Sequence, residues 1–184
     1  TEPPVAEPVP DAPSEPAAAP ADDAGEGELD EAAPAVGEVV PREQLEGFRL
    51  ERIRLSRRAR RMSEAERRRQ ALRSRSTGLR LYREGDYAGA EAAFREALEH
   101  VPRDTAAMEG MARATAQQSR FAEALAWARL AVQRNPRSAT AYRVLGDVWR
   151  QAGYPDEAVR AYRRGLARAP DDRWLRQRLR EVRE

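Results

Sequence analysis

The chain has no cysteine, no lysine and one histidine among its 184 residues. The missing cysteines exclude disulfides, thiolate nucleophiles and every metal site that needs a sulfur ligand. A single histidine, His100, offers no second imidazole for a metal. It stands before Val101-Pro102 at the end of a predicted helix, where it favours the negative end of the dipole and reads as a surface or helix-terminal residue. No apolar run approaches the roughly 18 residues of a membrane span, and no secretory signal pattern is present. There is no glycine-rich phosphate loop, nucleophile elbow or zinc motif. Acidic pairs occur at Asp22-Asp23 and Asp171-Asp172. The first falls in a proline-rich tail and the second reads as a helix N-cap, so neither indicates a catalytic carboxylate pair. No enzyme, metal or cofactor is expected. The first residue is Thr1, not methionine, compatible with a processed product or an excised fragment. The cytoplasm, the periplasm or a membrane anchor supplied by a preceding segment all remain compatible.

What is present is unevenly distributed. Residues 1–40 carry eleven acidic side chains and no basic one. This stretch of Pro, Ala, Glu and Asp cannot offset its ordering entropy by burial, and its prolines favour an extended spacer. It reads as a disordered linker; the alternative is an acidic tail that folds back on a basic body and competes with a ligand. From Arg42 to Arg75 the balance reverses, with thirteen arginines against five acids. Leu45, Phe48, Arg52, Leu55, Ala59 and Met62 recur at helical spacing, and Ser63 with Glu66 forms a capping-box pattern. The spacing predicts a basic helical segment over 42–70, with one helix ending near Arg61 and a second starting after Ser63, or one helix through both. The second helix runs towards Tyr82 and lengthens the element that follows. The segment could be a solvated cap, a self-association or docking helix, or a surface for nucleic acid or anionic membrane. Its arginine runs spray around a helix, and Phe48 is its lone aromatic, which weakens phosphate reading and base stacking.

The remainder is periodic. Pro102, Pro136 and Pro170 stand 34 residues apart. Each follows a helical stretch, and a turn precedes each stretch: Gly85-Asp86-Tyr87, Ser119-Arg120-Phe121 and Gly153-Tyr154-Pro155. One unit is a helix, a turn, a second helix and a proline-marked loop. A single hairpin cannot bury its apolar face, so neighbours must stack. The units are 71–104, 105–138 and 139–172, followed by a capping helix with Trp174, Leu175, Leu179 and Val182 on one side. The expected core contains Leu81, Tyr87, Phe94 and Leu98, then Met108, Met111, Phe121, Leu125 and Val132, then Tyr142, Leu145, Trp149, Val159, Tyr162 and Leu166. Ala90, Ala112, Ala124, Gly146 and Ala158 let helices approach closely.

The pattern resembles the tetratricopeptide repeat. The residues that carry it are Gly78, Tyr82, Gly85, Tyr87, Ala90, Phe94, Ala97 and Pro102; then Met111, Ala112, Phe121, Ala124 and Pro136; then Tyr142, Gly146, Gly153, Ala158, Tyr162 and Pro170. The resemblance implies an all-α fold, a right-handed solenoid of helical hairpins, and a concave groove lined by the first helix of each hairpin that binds a protein segment. Carried over by position, the groove residues are Arg75, Leu79, Tyr82 and Arg83; Glu109, Arg113 and Gln117; and Thr140, Arg143, Val144, Asp147 and Arg150. Five arginines against two acids favour an acidic or C-terminal carboxylate segment, and Leu79, Tyr82 and Val144 a partly apolar, amphipathic one. The best-known subgroup clamps a chaperone's C-terminal carboxylate with two Lys, two Asn and an Arg. At those positions this chain has Arg75, Leu79, Gly110, Thr140 and Val144, so that clamp is not expected. A protein partner is the leading expectation, then a homo-oligomer, with nucleic acid or membrane behind.

Overall fold

The structure, a computed structural model, describes residues 39–182. Both readings of the acidic tail fall outside these residues. The described elements are all helical: α1 Arg42–Leu45, a 3-10 turn Ala59–Arg61, α2 Glu64–Arg83, α3 Tyr87–His100, α4 Thr105–Gln117, α5 Phe121–Arg134, α6 Ala139–Gln151, α7 Pro155–Leu166 and α8 Arg173–Glu181. From α2 to α7 consecutive helices pair as hairpins.

The 34-residue period is built into the ends of the helices. Asp104, Ser138 and Asp172 each accept a bond from the backbone N–H three residues on, at 3.1, 3.0 and 2.9 Å. Such a cap is worth about 1 kcal/mol, and these three fix the starts of α4, α6 and α8 in one phase. Inside each hairpin the turn needs a left-handed residue: Gly85 at φ 82°, Ser119 at 59° and Gly153 at 88°. Glycine adopts this without steric cost, and serine does not. α2 starts outside the phase because the Ser63–Glu66 capping box closes: Glu66 N–H bonds Ser63 Oγ at 3.2 Å and Ser63 N–H bonds Glu66 Oε2 at 2.7 Å. The result is a 20-residue helix where α4 and α6 have 13.

Phe94 on α3 centres the first interface. An added Cβ would lie 2.7 Å from its ring at Gly78 and 2.5 Å at Gly110. Thus α2 and α4 both reach the ring through glycine. Tyr162 takes the same place against Gly146 two periods later. Several core expectations shift. The buried face of α2 is Ala71, Ser74, Gly78 and Tyr82, so Tyr82 is 6% exposed while Leu81 sits half-buried on the flank. Val144 and Val148 are buried, whereas Tyr87, Phe121, Val132, Leu145, Trp149, Val159 and Leu166 are half-buried. His100 ends α3 as expected, but it is buried and not on the surface.

The helix expected over 42–61 is replaced by an irregular strap. α1 stops after four residues, and Gly47 turns left-handed at φ 87°. The strap then meets all three hairpins. Val40 N–H bonds the Ala152 carbonyl at 3.2 Å, and the Tyr154 hydroxyl donates to the Val40 carbonyl at 2.7 Å. Arg42 lies over the Tyr154 ring and pairs with Glu157. Leu45, 3% exposed, packs in the main core near α5. Ser56 N–H bonds the Glu99 carbonyl of α3 at 3.1 Å, and Ala59 is buried. The chain therefore crosses from the third hairpin back to the first before α2 begins.

Candidate partner-binding groove

The first helices of the hairpins, α2, α4 and α6, lie side by side. α8 begins 34 residues after α6, in the phase of a fourth first helix. The sequence-predicted residues divide sharply along this face. At the α2 end, Arg75 Nη1 bonds Asp104 at 3.3 and 3.4 Å. Since Asp104 also caps α4, that arginine is engaged in joining two repeats. Tyr82 is in the core, its hydroxyl accepting from Gln117 Nε2 at 3.4 Å and its ring edge-on to Tyr87. Leu79 is half-buried against the core, and Arg83 is exposed at the helix end. In the middle, Glu109 accepts from the hydroxyl of Ser138, the α6 cap, at 3.4 Å. Val144 is 0% exposed, so it supports the face from beneath and forms no open floor. Thr140 is half-buried.

The other predicted residues converge near α8. Asp147 accepts from the Tyr162 hydroxyl at 2.7 Å. Arg113, Arg143 and Arg178 all place their positive charge against this carboxylate, and Arg150 places its charge beside the Tyr162 hydroxyl. Arg143 and Arg178 both lie over the Trp174 ring, at 4.8 and 4.5 Å from its centre, which in turn meets Tyr162 edge-on at 6.2 Å. Arg178 also bonds Glu181 at 2.8 Å. Burial pushes the Asp147 carboxyl above its usual range, against the pull of Tyr162 and the guanidiniums. Burial likewise pushes the Tyr162 phenol up, and the Asp147 charge adds to it. For Arg178, burial opposes the charge, and Glu181 and Asp147 outweigh it. The Nε atoms of Arg150 and Arg178 are buried with no acceptor among the described residues. Buried donors without acceptors are costly.

Tyr162, Trp174 and Arg178 belong to this cluster and were absent from the sequence-predicted groove. One more step of the 34-residue period would have reached two of them: Thr140 leads to Trp174 and Val144 to Arg178. Among the described residues there is no His, Asp or Glu cluster suited to a metal, and no helix long and apolar enough to cross a membrane. A hollow of about 260 Å³ lies between the strap and α5, lined by Val40, Leu45, Phe48 and Phe121 among others, and is not part of the first-helix face.

Hairpins in a common 34-residue phase, glycine-mediated packing and a charged first-helix face define a helical repeat of the tetratricopeptide type. The family's sequence profile, described as tetratricopeptide repeat, matches residues 76–138 and 131–173, over half of the chain, and the chain belongs to that family. No curated protein matches it. Among solved structures, it is similar to the first TPR of Spaghetti (RPAP3) bound to HSP90 peptide SRMEEVD, at 23% identity and a TM-score of 0.57, over 62% of this chain and 91% of that one. It is similar to the second TPR domain of human RPAP3 in complex with HSP70 peptide SGPTIEEVD, at 15% identity and a TM-score of 0.58, over 66% and 99%. It also resembles part of the Thermobaculum terrenum O-GlcNAc transferase, at 20% identity and a TM-score of 0.59, over 66% of this chain and 23% of that enzyme. These likenesses establish the fold.

Proposed function

We propose that this chain is a non-enzymatic adaptor that holds an acidic segment of a protein partner along the face of α2, α4, α6 and α8. The observation that carries this reading is the charge of that face, with Arg113, Arg143, Arg150 and Arg178 gathered on one side of it around Asp147, Tyr162 and Glu181. Guanidinium forks match carboxylates in geometry and charge. Partial burial makes each pair worth more than it would be at a fully exposed site. Two of the similar structures hold peptides that contain Glu-Glu-Val-Asp, which shows an acidic segment to be compatible with this fold. The mode differs here, because Leu79, Gly110, Thr140 and Val144 stand where the chaperone-tail clamp has its polar side chains, and Gly110 and Val144 are buried. Docking through a basic 42–70 helix is disfavoured, since residues 46–58 are not helical and Leu45 and Ala59 are spent on the chain's own repeats.

The test is affinity capture from nuclease-treated native extract in rising salt, with the wild type beside a variant carrying Arg113→Glu, Arg143→Glu and Arg150→Glu. The expected result is a discrete protein held by the wild type and lost from the variant. Equal capture by both, with the variant melting as the wild type does, would remove the groove from the account.

A further inference from the structure

The arginine cluster contains its own anion. Asp147 sits among Arg113, Arg143 and Arg178, held in place by Tyr162, and Glu181 occupies part of Arg178. With Glu109, one turn before Arg113 on α4, three carboxylates stand against the four guanidiniums, and the face keeps one net positive charge. The buried Nε donors of Arg150 and Arg178 still have no acceptor among the described residues. Trp174, with arginines over its ring, supplies a rigid wall from α8.

We infer that this end of the groove, completed by Trp174 and Arg178 of α8, is the subsite for the carboxylate side chains of the partner, and that Asp147 is a built-in competitor that weakens their binding. The inference rests on the groove reading and specifies its anchor. Asp147 is a specificity-determining residue under this assignment. Its charge lowers affinity for any anion and sets a threshold that a lone acidic side chain does not pass, whereas a run of them does. The acidic partner segment places one carboxylate against the half-buried guanidiniums of Arg150 and Arg178 and another beside Arg113. The clamp positions of the chaperone-binding subgroup, at Arg75 and Gly110, are not part of this subsite.

The experiment is a titration of the full chain with a synthetic hexaglutamate peptide, and separately with inorganic phosphate. It is followed by two-dimensional NMR of the backbone amides of all the helices together with the Trp174 indole resonance, the latter assigned by its loss in Trp174→Phe. Asp147→Asn keeps an oxygen to accept from Tyr162 and removes the charge, so it should bind hexaglutamate about tenfold more tightly than the wild type. Arg150→Gln and Arg178→Gln should each weaken binding by about tenfold, and Arg83→Gln, at the far end of the face, by less than about twofold. Asp147→Asn binding no better than the wild type would overturn the competitor role. Shifts confined to the neighbourhood of Arg75 and Arg83 would overturn the subsite and leave the groove reading standing. No shift on any first helix would remove both. Saturation by phosphate with no response to hexaglutamate would make this a tetrahedral-anion site and overturn the assignment to an acidic peptide.

Discussion

The strap and the groove are both rich in arginine, and they use it in opposite ways. In the strap, Arg49, Arg52, Arg54, Arg57, Arg58, Arg60 and Arg61 are exposed. The segment is held by Leu45 and Ala59, by backbone hydrogen bonds, and by the pairing of Arg42 with Glu157 and Tyr154. In the groove, Arg113, Arg143, Arg150 and Arg178 are half-buried and grouped around Asp147, Tyr162 and Trp174. Exposed pairs are worth at most about 1 kcal/mol because water and salt screen them. Partial removal from water raises the strength of the same charges severalfold. Arginine count alone therefore locates no site in this chain. What distinguishes the two regions is whether the charge has been drawn out of solvent and gathered with others.

The largest effect is expected from removing what holds the strap. Leu45→Ala should cost about 2–5 kcal/mol of stability by the loss of buried surface and the cavity left behind, measured by urea denaturation. It should leave hexaglutamate affinity unchanged if the two regions are independent. Next comes the pH dependence of the groove. Asp147 binds its proton more tightly folded than unfolded. The stabilising contribution is present below the unfolded carboxyl value and is lost as pH rises through the folded one. Asp147→Asn should remove this slope, which makes the variant more stable than the wild type at neutral pH in parallel denaturation curves. Arg42→Gln, which loses a partly exposed ion pair and a ring contact, should cost about 0.5–1 kcal/mol. Ser119→Gly, outside both regions, should stabilise by about 0.4–1 kcal/mol. It relieves a left-handed serine where the neighbouring repeats have glycine, and the gain is read as a rise in melting temperature. Last, Arg57→Gln with Arg58→Gln should stay within about 0.5 kcal/mol of the wild type.

Much of the fold could be read from residues because the local signals repeat in phase. The prolines at 102, 136 and 170 and the turn residues at 85, 119 and 153 agree on one period, and the structure adds caps at 104, 138 and 172 in the same phase. The Ser63–Glu66 box marks the early start of α2. The strap was hidden because Leu45, Leu55 and Ala59 have helical spacing and yet are used by an irregular chain lying on preformed repeats. Gly47, directly after α1, was the overlooked local sign. Tyr82 and Val144 were placed on the groove surface although the apolar phase of their helices turns them inward. Trp174 and Arg178 were assigned only to a cap, since a final helix that covers the last repeat also continues the face of first helices. Their involvement depends on the 34-residue phase being carried one step beyond the last proline.

The most direct test of the account compares hexaglutamate dissociation constants for two sets of variants at one ionic strength: Arg49, Arg52 and Arg54 to Gln in the strap, and Arg113, Arg150 and Arg178 to Gln in the groove. The account predicts at least about thirtyfold weaker binding for the groove set and less than about twofold for the strap set. Equal losses in both would show that affinity follows overall charge alone, and would contradict the claim that the half-buried cluster around Asp147 is the binding site.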